Sequence, residues 1–286
     1  PPAPPPTEIY TAHESSAASD VYKRQTQGLA CLLALLAQPS SEAYTSDSPV
    51  SAPKAEVVVM LHGLGRRAQS MAKLADYLSE RGYRVHNLGY ESTDYSPGTL
   101  LADLDERIRA CCEDAGRLHF VGHSLGGILA RAWIADTRPT NLGRLVMLAP
   151  PNQGSLLADR FQDRWPVSNL MGPALEALGT EPDSLPKSLP RPDYPVGIIA
   201  GTGTVNPFGT VTIPGEDDGI ISICATRLEG AADFLIVNAS HAFIMRSTEV
   251  AENTAAFLAT GRFLHDAPDT ITGCPDDWPD QGTPAG

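Results

Sequence analysis

The chain has 286 residues, 42% of them hydrophobic and 19% charged, with 25 glycines and 25 prolines. That length buries a full core and suits one large α/β domain better than two small ones. A net charge of −13 argues against nucleic acid or an anionic membrane as the main partner, because both are themselves negative; an acidic surface chiefly confers solubility.

The N-terminal segment is expected to lie outside the fold. Residues 15–25, SSAASDVYKRQ, read as a translated sequencing-library adapter, because Asp20–Gln25 back-translate into a transposon end. Residues 1–25 are therefore expected to be adapter-derived and carry no structural argument. Residues 26–43 follow, with an apolar run from Leu29 to Ala37 as long as the hydrophobic region of an export signal and too short to span a bilayer. Ser41–Ala43 offers a cleavage site; a helix packed on the domain is the alternative. The expectation is a truncated signal peptide on an exported protein (secreted, periplasmic or envelope-bound), with residues 44–55 as linker.

From Glu56 onward, apolar strands alternate with helical patterns. EVVVMLHG is a short β-branched run ending in glycine, as buried strands do. Ala68–Gly82 carries Met71, Leu74, Ala75 and Leu78 at helical spacing, with glycine at its end. Strand YRVHNLG is followed by a helix from about Pro97, whose stripe is Leu100, Leu101, Leu104, Ile108 and Cys111. RLHFVG is the next strand and runs straight into Ser124. Helix LGGILARAWIADT and strand RLVMLAP come after it. Pro150–Pro195 breaks the rhythm with Pro- and Asp-rich sequence and short helices near Leu156 and over Leu170–Leu178. Strands VGIIAGT and ADFLIVN resume it, with a last helix from about Ala242 to Ala259. Residues 266–286, with clusters of Asp, Pro and Gly, read as a flexible tail.

This alternation predicts a mostly parallel sheet with helices on both faces, in one α/β domain over residues 56–265. The irregular stretch, about 152–194, is expected to cap the sheet's C-terminal edge, where such sheets bind ligands. Its Phe161, Trp165, Leu170, Met171 and Leu175 suit an acyl or lipid tail, or else simply pack the cap onto the sheet.

Gly122–Gly126 reads GHSLG, immediately after a strand and before a helix. The pentapeptide alone is a weak signal. In that context it predicts a sharp turn that lifts the Ser124 hydroxyl above the sheet at a helix N-terminus, with glycines where backbones crowd. A serine needs a base, and the base a carboxylate to orient it. Downstream histidines are His241 and His265. His241 follows a strand directly in the turn NASH and is favoured; His265 lies past the last helix. On chemistry alone Glu216, Asp217 and Asp218 all compete as the acid, and a bound cation is a rival use of that cluster. Oxyanion donors are expected from the N–H groups of Leu125 and of Leu64 in LHGLGRR, each contributing on the order of 3–4 kcal/mol at the transition state. His62 reads as holding that loop, and His86, His119 and His123 as structural. The cysteines Cys31, Cys111, Cys112, Cys224 and Cys274 show no metal spacing, and the adjacent Cys111 and Cys112 are not expected to pair with each other.

The motifs MLHGLG, FVGHSLGG, APPNQGS and DDGIIS with the later SH, in that order between Glu56 and Phe263, resemble the α/β-hydrolase superfamily, in particular its small bacterial lipase and esterase group. The resemblance implies an α/β-hydrolase fold that begins at the HG strand, and Ser124, Asp218 and His241 as triad. It selects Asp218 through its D-G pattern, with Asp217 in reserve, and the 23 residues from Asp218 to His241 are close to the spacing in secreted bacterial lipases. It further implies a carboxyl-ester hydrolase acting on a small-molecule or lipid ester without a cofactor, with transient contact to a lipid interface and no nucleic-acid partner. An acyltransferase or thioesterase with the same triad is the alternative, and a non-catalytic binding protein a more distant one. Relatives bind calcium through an Asp two positions after the histidine, where Phe243 stands here, so no metal is expected. Cys224 occupies a half-cystine position of relatives, but no partner lies between Ser124 and it, so that disulfide is not expected either.

Overall fold

The computed structural model describes residues 54–161, 167–204, 213–271 and 274. The expected adapter and signal segments, most of the linker, Trp165 and most of the tail lie outside them. Six strands were expected, and six form among the described residues: β1 (Glu56–Leu61), β2 (Arg84–Leu88), β3 (Arg117–His123), β4 (Leu142–Leu148), β5 (Val196–Gly201) and β6 (Asp233–Val237). They make one sheet in the order β2-β1-β3-β4-β5-β6, with every pairing parallel.

A parallel strand covered on both faces needs apolar side chains on both, which is why the strands read as continuous runs rather than alternating ones. On β1, Val57, Val59 and Leu61 face one core with α2 (Pro97–Cys112) and α3 (Leu125–Thr137). Val58 and Met60 face the other, with α1 (Ala72–Ser79) and the C-terminal helix, Thr248–Thr260. All five of those β1 side chains have 0% exposure, each contributing roughly 1.5–3 kcal/mol of transfer free energy. All strands point their C-terminal ends to one edge. Between β4 and β5, α4 (Leu156–Phe161), α5 (Val167–Met171), α6 (Pro173–Glu176) and α7 (Leu185–Ser188) occupy the expected cap stretch; the C-terminal helix is α8.

The last helix begins later than its pattern predicts. Ile244–Arg246 is a 3-10 turn, and Ser247 then takes extended dihedrals and accepts the Val250 N–H on its hydroxyl. That N-cap starts α8 afresh, because a serine oxygen satisfies a helix-end donor that continued apolar spacing cannot. The start of the expected tail is fastened to the sheet. Asp269 donates its N–H to the Phe234 carbonyl and accepts the Ile236 N–H along the free edge of β6.

Two cysteine expectations are corrected. Cys224 does form a disulfide, with Cys274, across a small apolar cluster of Ile221, Ala225, Leu156 and Ile271. Its partner lies downstream, beyond the last helix, rather than between Ser124 and Cys224. Cys111 and Cys112 also bring their sulfurs into disulfide contact, at the end of α2. Folding sets His86 beside that pair, but sulfurs joined to each other offer no thiolate to a metal.

Candidate active site

Ser124 has φ 52° and ψ −121°, a conformation that non-glycine residues seldom adopt and that costs of order 1–3 kcal/mol. It is the N-cap of α3, but its hydroxyl caps nothing. The turn is possible because a side chain at Gly126 would sit 2.3 Å from the Leu61 carbonyl oxygen, and one at Gly122 2.4 Å from the Gly127 backbone. Both flanking glycines are therefore fixed by the close approach of β1, β3 and α3, as the pentapeptide led one to expect.

His241 lies in the turn after β6. Its Nδ1–H donates to Asp218 Oδ2 at 2.8 Å, which leaves Nε2 with its lone pair. Asp218 is held in turn: Oδ1 accepts the N–H groups of Ile220 (3.1 Å) and Ile221 (2.7 Å), and its carbonyl accepts the His241 N–H at 2.9 Å. The neighbouring acids differ. Asp217 Oδ1 accepts the Gly219 N–H at 2.7 Å, while its buried Oδ2 has no partner among the described residues. Burial, then the adjacent Asp218, raises the pKa of Asp217. Glu216 is exposed. These three acids do not converge as a metal-ligand set among the described residues. His265 stands at the opposite end of the sheet, paired at 2.8 Å with Asp233, the first residue of β6.

The loop after β1 is braced from β2. Tyr90 stacks on His62 with ring centroids 4.0 Å apart, donates its N–H to His62 Nε2, and bonds the His62 carbonyl through its hydroxyl. Ser92 Oγ accepts the Gly65 N–H at 3.0 Å. Leu64 lies between these anchors, and its N–H has no protein acceptor among the described residues. Leu125 opens α3, so its N–H has no intrahelical partner. Sequence reasoning missed Tyr90 and Ser92; the only signal was their place just beyond the C-terminal end of a strand, the edge where parallel sheets build sites.

His123 reads as structural in the sequence, and its neighbours make that role specific. Its Nε2–H donates to the His241 carbonyl at 3.0 Å, and the two rings lie 4.8 Å apart. Burial, the neighbouring His241 and the Arg66 charge hold its pKa well below the ordinary value of 6.5. At β3's other end, His119 accepts the Arg144 N–H on Nδ1 and has Glu56 at 3.5 Å from Nε2. Burial together with Arg144 and Arg117 pushes it down to about 4. Both rings are neutral in the fold and protonate freely once unfolded. Stability is therefore indifferent to them above pH 6.5 and falls as pH drops below it. The slope approaches about 1.4 kcal/mol per pH unit for each ring, until the folded His119 itself protonates near pH 4. Urea midpoints at pH 7.5, 6 and 5 test this; an unchanged midpoint down to pH 5 refutes it.

Ser124, His123, His241 and Leu64 line one cavity of about 1130 Å³, above the roughly 300–1,000 Å³ usual for small-ligand sites. The cap contributes apolar lining to it: Leu157, Phe161, Leu170, Met171, Leu175 and Leu178. Leu170 is 74% exposed, so it does not pack the cap onto the sheet.

The chain is similar to solved structures of the mature Bacillus licheniformis lipase BlEst2 (21% identity, TM-score 0.52, covering 76% of this chain and 96% of that one) and of phospholipase PlaB from Legionella pneumophila (17%, TM-score 0.55, 70% and 57%). It is likewise similar to the metagenomic carboxyl esterase MGS0156 (16%, TM-score 0.53, 71% and 70%). These likenesses concern the fold. A Drosophila melanogaster protein described as a lysosomal thioesterase PPT2 homolog is 33% identical over 104 residues, which span 34% of this chain and only 36% of that relative. The model of the alpha/beta hydrolase family matches residues 58–285. By that match, and by a parallel sheet whose order and elbow agree with it, the chain belongs to the alpha/beta hydrolase family.

Proposed function

We propose that the chain is a serine carboxyl-ester hydrolase with Ser124 as nucleophile, His241 as base and Asp218 as its orienting acid. The observation that carries this reading is the pairing of Asp218 with His241 Nδ1 beside a strained, uncapped Ser124 on one apolar cavity. His241 Nε2 takes the serine proton as Oγ attacks the ester carbonyl. The N–H groups of Leu64 and Leu125 receive the oxyanion, and His241 returns the proton to the leaving alcohol as the carbon–oxygen bond breaks. Water, deprotonated by His241, then attacks the acyl-enzyme and releases the acid and the serine.

A p-nitrophenyl ester series from acetyl to palmitoyl tests it. Turnover is expected, with medium to long chains favoured because the apolar cap wall rewards each buried methylene by about 0.8 kcal/mol. The same triad forms the acyl-enzyme from a thioester, with a protonated thiol leaving as the carbon–sulfur bond breaks, and the likeness to a thioesterase favours thioesters as the second reading. Faster cleavage of a thioester than of the matched oxygen ester decides for it. The absence of all ester and thioester cleavage, with Ser124 unlabelled by a fluorophosphonate, would overturn both and favour a binding protein.

A further inference from the structure

From the charges that line the cavity, we infer that the substrate's leaving group carries phosphate: the site takes an acyl chain esterified or thioesterified to a phosphate-bearing alcohol or thiol. The inference rests on the hydrolase reading above and names its substrate class.

Three arginines line the cavity: Arg66 and Arg67 in the loop after β1, and Arg160 on α4 of the cap. Glu91 is the one acid that lines it among the described residues. The whole chain holds 34 acidic residues against 21 Lys and Arg, so three cations against one anion reverse the sign of the molecule here.

The three guanidinium groups are also unengaged. Five surface arginines outside the cavity find carboxylates: Arg84 with Asp114, Arg107 with Asp103, Arg109 with Asp105, Arg138 with Asp193 and Arg191 with Glu229. Among the described residues, the guanidiniums of Arg66, Arg67 and Arg160 have no ion pair and no hydrogen bond. The charge of Arg66 is felt as deep as His123, on the strand end that carries Ser124. An arginine fork matches phosphate oxygens in two parallel hydrogen bonds, which a lysine cannot do.

The lining offers each half of an ester matching groups. Leu157, Phe161, Met171, Leu175 and Leu178 supply apolar surface for the acyl chain. The arginines come from the β1 loop and from the cap, and they line the same cavity as Ser124. A neutral leaving group leaves all three cations unused. A phosphate-bearing one, whether a phospholipid headgroup or a soluble nucleotide thiol, engages them.

The test compares matched substrates with the full chain. Palmitoyl-coenzyme A is set against the neutral palmitoyl N-acetylcysteamine thioester, and phosphatidylglycerol in mixed micelles against dipalmitoylglycerol, with thiol or fatty-acid release as the readout. The phosphate-bearing member of at least one pair is expected to show kcat/KM about 10-fold higher or more, with an advantage that shrinks as salt rises from about 0.05 to about 0.5 M. Whichever pair shows it identifies the source. In Arg67→Gln/Arg160→Gln the ratio of phosphate-bearing to neutral kcat/KM falls toward one, whereas a merely structural defect lowers both members alike. Equal rates on both members of both pairs overturn the phosphate inference and leave the hydrolase reading standing. A preference that survives in the double variant overturns the role of these arginines. No cleavage of any of the four overturns the phosphate inference, and the p-nitrophenyl ester series with the fluorophosphonate then decides the hydrolase reading on its own.

Discussion

Ser124→Ala is expected to lower kcat/KM on any cleaved ester by about 10⁴-fold or more, roughly 5 kcal/mol of transition-state stabilisation. Without the oxygen there is no acyl-enzyme, and what remains comes from the oxyanion donors and from substrate binding. Folding does not suffer, because the hydroxyl of this cavity-lining serine makes no hydrogen bond among the described residues whose loss would cost stability. Ser124→Gly separates the two sides of the design. It is equally inactive, yet it is expected to be more stable by about 1 kcal/mol, because glycine adopts φ 52° without the penalty that a side chain incurs there. Stability in urea and ester turnover, measured on the same preparations, check both statements. Residual activity within 10-fold of wild type in either variant would place the chemistry elsewhere.

What was legible in the sequence followed from physical periods and from contiguous motifs. The strands announced themselves because a doubly covered parallel strand must be apolar throughout, and the elbow because its glycines lie within five residues of each other. The gaps have equally physical causes. The start of α8 was missed because a single serine, Ser247, capped the helix against a continuing apolar pattern. The Cys224–Cys274 link depends on where the chain returns after the last helix, which no local pattern encodes. Tyr90 and Ser92 act on a loop 25 or more positions earlier in the chain, through strand pairing of β1 with β2. The choice between Asp217 and Asp218 was underdetermined for the same reason. Both are carboxylates in one short loop, and only the folded backbone decides which of them meets the histidine.

That choice makes the second large prediction. Asp218→Asn is expected to cut kcat by about 10⁴-fold, while Asp217→Asn stays within a few-fold of wild type. In the native site Asp218 accepts on both oxygens, from two backbone N–H groups on Oδ1 and from His241 on Oδ2. An asparagine keeps one acceptor. If its oxygen satisfies Ile220 and Ile221, its amide group faces His241 Nδ1, and the ring must accept there and carry its proton on Nε2. The atom that should take the serine proton then already holds one. Turning the amide around restores the histidine tautomer only by setting two backbone N–H donors against the amide N–H, at a cost of about 1–3 kcal/mol for each unsatisfied buried group. Asp217 has the opposite problem. Its Oδ2 is buried without a partner among the described residues, and burial raises its pKa. Removing that charge in Asp217→Asn is expected to leave stability unchanged or improved, because the amide oxygen still accepts the Gly219 N–H that Oδ1 accepts now. Kinetics on the preferred p-nitrophenyl ester, with urea midpoints alongside, distinguish the cases. A large loss in Asp217→Asn with Asp218→Asn active would mean that the loop rearranges around substrate and that the carboxylate nearest the histidine in the free protein is not the one it uses in turnover.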